Sequence, residues 1–187
     1  METGLPVSLK RPAAAGYDVA VMSQRTLRIS VIGGSVVPPS IETVAEEVGR
    51  ELARHGATLI CGGLGGVMEA ACRGAAAEGG RTVGILPGTD PREANRYVEL
   101  PIPTGMGWAR NVMVALAGQA VIAIDGGYGT LSELAYALQA GIPIVTLRTW
   151  RMTDHRGVLE TKFIEAETAV EAVTKAVAAA RGETVVP

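Results

Sequence analysis

The chain has 187 residues, 48% of them apolar, and a net charge of −2, which is enough length for about one domain with a sizeable core. Its 17 Lys and Arg are scattered among 19 Asp and Glu, so there is no basic footprint and nucleic acid is not an expected partner. No apolar run approaches the roughly 18 residues that span a bilayer and the first residues lack an apolar signal-peptide core, so no membrane association is expected and the expected compartment is cytoplasmic.

Residues 1–26 contain Pro6, Pro12, Gly16 and an Ala triplet without sustained periodicity. They read as a leader, poorly ordered or strapped on the surface, in which Tyr17 to Met22 could add an edge strand. Met22 stands just ahead of the first clear strand and is a candidate start of translation. Residues 27–182 read as one domain and 183–187 as a tail. Leu27 to Ile32 is a β-branched strand ending in Gly33-Gly34-Ser35. Ser40 is the expected cap of a helix to about His55, with Ile41, Val44, Ala45, Val48 and Leu52 on one face. Ala57 to Cys61 is the second strand, followed by the glycine run from Gly62 to Gly66 and a helix from Val67 to Glu78 that turns Met68, Ala71, Cys72 and Ala75 inward. Thr82 to Leu86 is the third strand.

From Thr89 to Gly107 the pattern breaks into a polar loop, a short run from Tyr97 to Leu100 and the segment Pro101-Ile102-Pro103-Thr104-Gly105, and long loops in compact domains are often functional. A helix is expected over Gly107 to Ala117, then a strand at Ala120 to Ile124, a glycine turn from Asp125, and a helix from about Leu131 to Ala140. Ile142 to Leu147 and Thr161 to Glu165 are the last strands, and Thr168 to Ala180 the last helix. Strands alternating with helical crossovers predict an α/β fold: a doubly wound, Rossmann-like parallel sheet with helices on both faces. Cys61 and Cys72 form no CxxC pair and read as small buried residues. His55 and His155 are isolated, so no metal site is expected.

Three glycine turns follow predicted parallel strands, whose carboxyl ends share one edge of such a sheet. One turn alone would signify only a tight connection. Three together point to a cleft in which backbone amides and helix dipoles receive a phosphate. The expected phosphate contacts are Gly33, Gly34 and Ser35 from the first turn, Gly63, Gly65 and Gly66 from the second, and Gly126, Gly127, Tyr128, Gly129 and Thr130 from the third. Gly105 and Gly107 lead into Arg110, a guanidinium suited to phosphate, with Asn111 beside it. Asn111 and Asn95 are candidate hydrogen-bond partners for a base or sugar, while Met68, Met106 and Trp108 read as core or dimer packing. No turn has a Walker A ending or the GxGxxG spacing, which disfavours a kinase, an ATPase or a dinucleotide dehydrogenase. Glu133 has two readings: it forms a capping box with Thr130, or it faces the ligand and does chemistry.

Gly126 to Glu133 keeps the GGxGTxxE part of the signature of the Lonely Guy (LOG) family, also labelled lysine decarboxylase-like. GGLGGVMEAACRGA from Gly62, ILPG from Ile85, PIPTGMGWARN from Pro101 and DGGYGTLSE from Asp125 resemble more closely the sister branch that includes molybdenum cofactor carrier proteins. The resemblance spans about Leu27 to Leu147. It implies a phosphorylated ring ligand and a homodimer, or higher homo-oligomer, built through helices beside the cleft. In the carrier branch the cleft holds the molybdenum cofactor without turning it over. In LOG enzymes it hydrolyses the N-glycosidic bond of nucleoside 5'-monophosphates such as AMP or cytokinin riboside monophosphate, without a cofactor; Arg110 and Glu133 would then be the catalytic pair. This chain departs from the enzyme pattern at Asp125, where the family has Pro, and at Asn111, where the enzymes have Lys. The carrier reading leads. Phosphoribohydrolase and noncatalytic nucleotide sensor are the alternatives.

Overall fold

The computed structural model describes residues 26–185; the leader read over residues 1–26, with the edge strand at Tyr17 to Met22, lies outside them but for Thr26, as do the last two residues of the tail. Seven strands alternate with five helices: β1 (Arg28–Gly33), α1 (Pro39–Arg54), β2 (Thr58–Cys61), α2 (Val67–Ala77), β3 (Thr82–Leu86), β4 (Leu100–Pro103), α3 (Asn111–Ala117), β5 (Ala120–Ile124), α4 (Tyr128–Ala140), β6 (Ile144–Leu147), β7 (Phe163–Glu165) and α5 (Ala169–Ala180). All strands are parallel, in the order β4-β3-β2-β1-β5-β6-β7. The chain therefore winds outward from β1 to β4, returns to the centre at β5, and winds outward again. A crevice opens where the winding reverses, between the carboxyl ends of β1 and β5.

Helices cover both faces, so the central strands are apolar on both sides rather than alternating. Ile29 and Val31 join the core under α1, α2 and α5. Ile32 points the other way, into the core under α3 and α4. Ser30, on that second face, is fully buried and its hydroxyl donates to Val114 O at 2.7 Å, so its polar group is satisfied. Cys61 and Cys72 are buried free thiols with their sulfurs 3.5 Å apart. No helix among the described residues is long and apolar enough to cross a membrane.

The helix expected over Gly107 to Ala117 opens as a 3-10 turn, Gly107–Arg110, and is α-helical only from Asn111; three further readings are corrected. Pro101-Ile102-Pro103, expected as loop, is part of edge strand β4. Thr104 N donates to Leu86 O, so by strand parity the nitrogens of Pro101 and Pro103 face outward, where no ladder donor is needed. Ser40 is not a cap, because α1 begins at Pro39 with Pro38 at the N-cap and no side-chain cap bond. A proline in the first turn loses only an amide that has no intrahelical partner. The third, the start of α4, shapes the site described below.

Helices α1 and α2 touch backbone to backbone. A Cβ added at Gly49 would lie 1.9 Å from Ala71 O, and one added at Gly74 would lie 1.9 Å from Glu46 O. Exposed Gly→Ala changes inside helices normally stabilise by about 0.5–1 kcal/mol. Here the sign reverses: Gly49→Ala and Gly74→Ala should each destabilise by about 1–3 kcal/mol or more through overpacking, read as a lower midpoint in urea denaturation.

Candidate functional site

A cavity of about 790 Å³ occupies the crevice between β1 and β5, within the usual range for small-molecule sites. Its walls include Gly33, Gly34 and Ser35 after β1 and Gly127, Tyr128, Gly129 and Thr130 after β5. Arg110, Asn111 and Glu133 line it too. Of the residues expected at a phosphate, Gly63, Gly65, Gly66, Gly105, Gly107 and Gly126 are not in its walls. Gly63, Gly66 and Gly126 are packed closely instead, while Gly107 has open space beside it. A Cβ at Gly63 would meet the Leu86 side chain at 2.6 Å, and one at Gly66 would meet Gly34 O at 2.3 Å.

The three turns do not contribute equally. The first amide of α2, at Val67, donates to Gly34 O at 3.0 Å, so that helix end is used to lock the β1 turn. Helix α1 begins several residues beyond its glycine turn, with a proline pair. At α4 the first amide to find an acceptor in the turn is Leu131, bonded to Gly127 O at 3.0 Å. The amides of Tyr128, Gly129 and Thr130 precede it and have no intrahelical acceptor. They make the positive end of a 13-residue helix, a ready site for an anion.

This helix starts at Tyr128, three residues before its expected beginning, with Gly127 at the N-cap and no side-chain cap bond. The capping box of Thr130 and Glu133 does not form. Both residues lie inside the helix, on its buried stripe with Leu134 and Ala137. Glu133 is therefore free to face the cavity. Asp125 begins the turn at φ 51°, a left-handed conformation that Asp tolerates. Proline, locked near −65°, cannot follow this backbone path.

Arg110 and Glu133 are 8% and 6% exposed, and Arg110 Nη1 lies 3.7 Å from Glu133 Oε1. The guanidinium is also held by neutral acceptors. Nη1 donates to Asn111 Oδ1 at 2.5 Å and Nη2 to Gly62 O at 3.3 Å. Asn111 in turn donates to Ser132 Oγ at 2.9 Å, and Ser132 donates to Gly129 O at 2.7 Å. This chain of bonds ties the cation to the first turn of α4. Arg110 Nε, fully buried, has no acceptor, although buried donors are nearly always paired. A Cβ at Gly62 would lie 2.4 Å from Arg110 Nη2, so glycine there is what admits the guanidinium.

Gly62 and Ser132 were not among the residues expected at the site. Nothing in their spacing marks them, because their partners lie 48 and 21 residues away. A signal did exist for Glu133: a carboxylate at i+3 from Thr130, beside Leu134 and before Ala137, sits on an apolar stripe. Asn95, a candidate base or sugar contact, instead braces the glycine run by donating to Leu64 O at 2.9 Å. Among the described residues no group of three or more His, Cys, Asp or Glu could hold a metal ion.

Burial pushes the Glu133 carboxyl up to about 7 against the opposing pull of Arg110; burial likewise lowers the Arg110 guanidinium from its ordinary value. A carboxyl raised in the folded state favours folding below its unfolded value near 4.5, and that contribution is lost as pH rises through 7. The stability of the wild type relative to Glu133→Gln should therefore fall by roughly 3 kcal/mol between pH 4.5 and pH 8. Urea denaturation of both proteins across that range checks the slope, and taking the difference removes the other titrating groups.

Comparison with known proteins places this geometry. The SLOG cluster4 family profile matches residues 26–181. An uncharacterized protein of Archaeoglobus fulgidus is 39% identical over 137 residues, covering 73% of this chain and 90% of that one. A cytokinin riboside 5'-monophosphate phosphoribohydrolase of Mycobacterium tuberculosis is 36% identical over 136 residues, covering 65% of this chain and 72% of that one. Among solved structures, the molybdenum cofactor binding protein of Rippkaea orientalis matches with a TM-score of 0.71 and 32% identity, over 81% of this chain and 95% of that one. The molybdenum cofactor carrier protein of Chlamydomonas reinhardtii matches with a TM-score of 0.68 and 32% identity, over 80% and 95%. The chain belongs to the SLOG cluster4 family and is a LOG-like protein with the Rossmann-like fold of the molybdenum cofactor carriers.

Proposed function

We propose that the protein binds and carries a phosphorylated ring compound of the molybdenum cofactor type, with the phosphate on the amides of Tyr128, Gly129 and Thr130 and on Arg110. The observation that carries this reading is the convergence of an open helix end and a buried guanidinium, its Nε unpartnered, on one cavity of about 790 Å³. A helix amino end and a guanidinium on the walls of one cavity each suit an anion. The likeness to carrier structures at 32% identity supports the same class of ligand.

A second reading, phosphoribohydrolase, is favoured by Glu133. It is buried, not engaged in a cap, paired with Arg110 and raised to about 7, as suits a group that stabilises oxocarbenium charge or handles a proton near neutral pH. Asn111 in place of a second cation, and Asp125 in place of proline at the start of the turn, set this chain apart from the enzyme pattern and keep carriage first.

Protein mixed anaerobically with molybdenum cofactor and desalted should retain the pterin, read by fluorescence after oxidation. Arg110→Gln should reduce retention by about 10- to 100-fold, the equivalent of a charge-assisted hydrogen bond. Free base released from AMP and lost in Glu133→Gln would put hydrolysis in place of carriage, and tight nucleotide binding with neither turnover nor retained pterin would identify a sensor. We also propose a homodimer through α3 and α4, whose outer faces expose Met113, Leu116 and Tyr136. Leu116→Glu should then convert the sedimenting dimer to a monomer.

A further inference from the structure

The chain has only two Trp, four Tyr and one Phe, yet Trp108, Tyr128 and Tyr136 all line the one cavity. Trp108 and Tyr128 are also among its most exposed large side chains, at 83% and 84%. Neither is core packing, which with dimer packing was one of the two roles the sequence suggested for Trp108. Large rings held in water beside a cavity that also holds a buried ion pair are characteristic of a binding surface.

Their placement is specific. A Cβ at Gly129 would lie 3.5 Å from Trp108 Cζ3, so the indole rests against the first turn of α4, beside the unpaired amides. Gly107, at φ 55°, gives the left-handed backbone that launches Trp108 toward that turn. Tyr128 stands one residue before Gly129 and is backed by Trp150, with ring centroids 6.3 Å apart and planes tilted by 34°. One side of the Tyr128 ring is thus supported from behind. The two exposed rings flank the residue whose amide belongs to the anion site.

We propose that Trp108 and Tyr128 are the specificity-determining lip of this site, stacking a flat fused-ring heterocycle whose phosphate lies on the α4 amides. The inference rests on the phosphate reading given above and adds to it which residues recognise the ring. A bicyclic system of the purine or pterin kind offers each ring more contact area than a pyrimidine, and a sugar phosphate without a base offers none. Stacking of this sort tolerates different ring substituents, because each flat heterocycle presents a π face.

The test uses the full chain in a Trp150→Phe background, so that Trp108 is the sole tryptophan, with AMP, UMP and ribose 5-phosphate as probes and readings taken within seconds of mixing. AMP should quench Trp108 emission more than UMP does, and ribose 5-phosphate should bind without quenching. Trp108→Ala and Tyr128→Ala should each weaken AMP binding by about 5- to 100-fold while changing ribose 5-phosphate affinity by no more than about twofold. Equal losses for AMP and ribose 5-phosphate, or no loss for either, overturn the proposal. So does a Trp108→Ala variant that changes the sedimenting species and leaves the AMP to ribose 5-phosphate affinity ratio intact, since Trp108 would then be packing between copies. Quenching by AMP with no binding of ribose 5-phosphate would uphold the ring lip and sink the phosphate reading.

Discussion

The pairing of β1 with β5 positions every functional part of this molecule. The register runs from Ile29 opposite Ala120 to Gly33 opposite Ile124, and the two strands end side by side although 91 residues separate their last members. Gly33 is needed for this junction: a Cβ there would lie 2.4 Å from Ile124 O and 2.7 Å from the Val67 side chain. A larger residue would push apart β1, β5 and the start of α2 together. Because the strands on either side wind away in opposite directions, a crevice opens at the junction among the described residues.

Into that crevice the fold brings a buried ion pair that is costly by ordinary standards. Desolvation dominates both partners, lowering Arg110 and raising Glu133. The 3.7 Å separation is too long for a hydrogen bond between them. A protein selected for stability alone would do as well with apolar residues of similar volume. Keeping the pair, with Arg110 Nε unsatisfied and its remaining nitrogens fastened by Asn111 and Gly62, makes sense as preorganisation for a ligand that completes the set. Two neutral acceptors, Asn111 Oδ1 and Gly62 O, hold the cation in place beside the Glu133 carboxyl.

Much of the architecture was legible along the chain because βα units announce themselves locally. β3 and β5 match their expected bounds, α2 and α5 differ by a residue at one end, and β1 is shifted by one residue at both ends, since β-branched runs and helical spacing are short-range signals. β4 was missed because two prolines argue against a strand unless it lies on an edge, and edge position is a property of the sheet. The start of α4 was misplaced because Thr130 and Glu133 have the spacing of a capping box; Gly127 takes the cap instead, and the helix gains the three residues that carry the open amides.

By itself the sequence determined the fold class and the family, and it singled out Arg110, Glu133 and the turn from Asp125 as candidates, because glycine spacing, strand and helix periods and family motifs are all written in neighbouring residues. Tertiary structure alone decided which glycines line the cavity and which merely let backbones meet. It separated Gly127 and Gly129, at the cavity, from Gly63 and Gly66, packed against Leu86 and the β1 turn. It also assigned Glu133 to the cavity rather than to a cap. The physical reason is the same in each case: a missing Cβ or a free carboxylate acquires its role from what lies opposite it, and at this site the opposing atoms come from strands and helices far away along the chain.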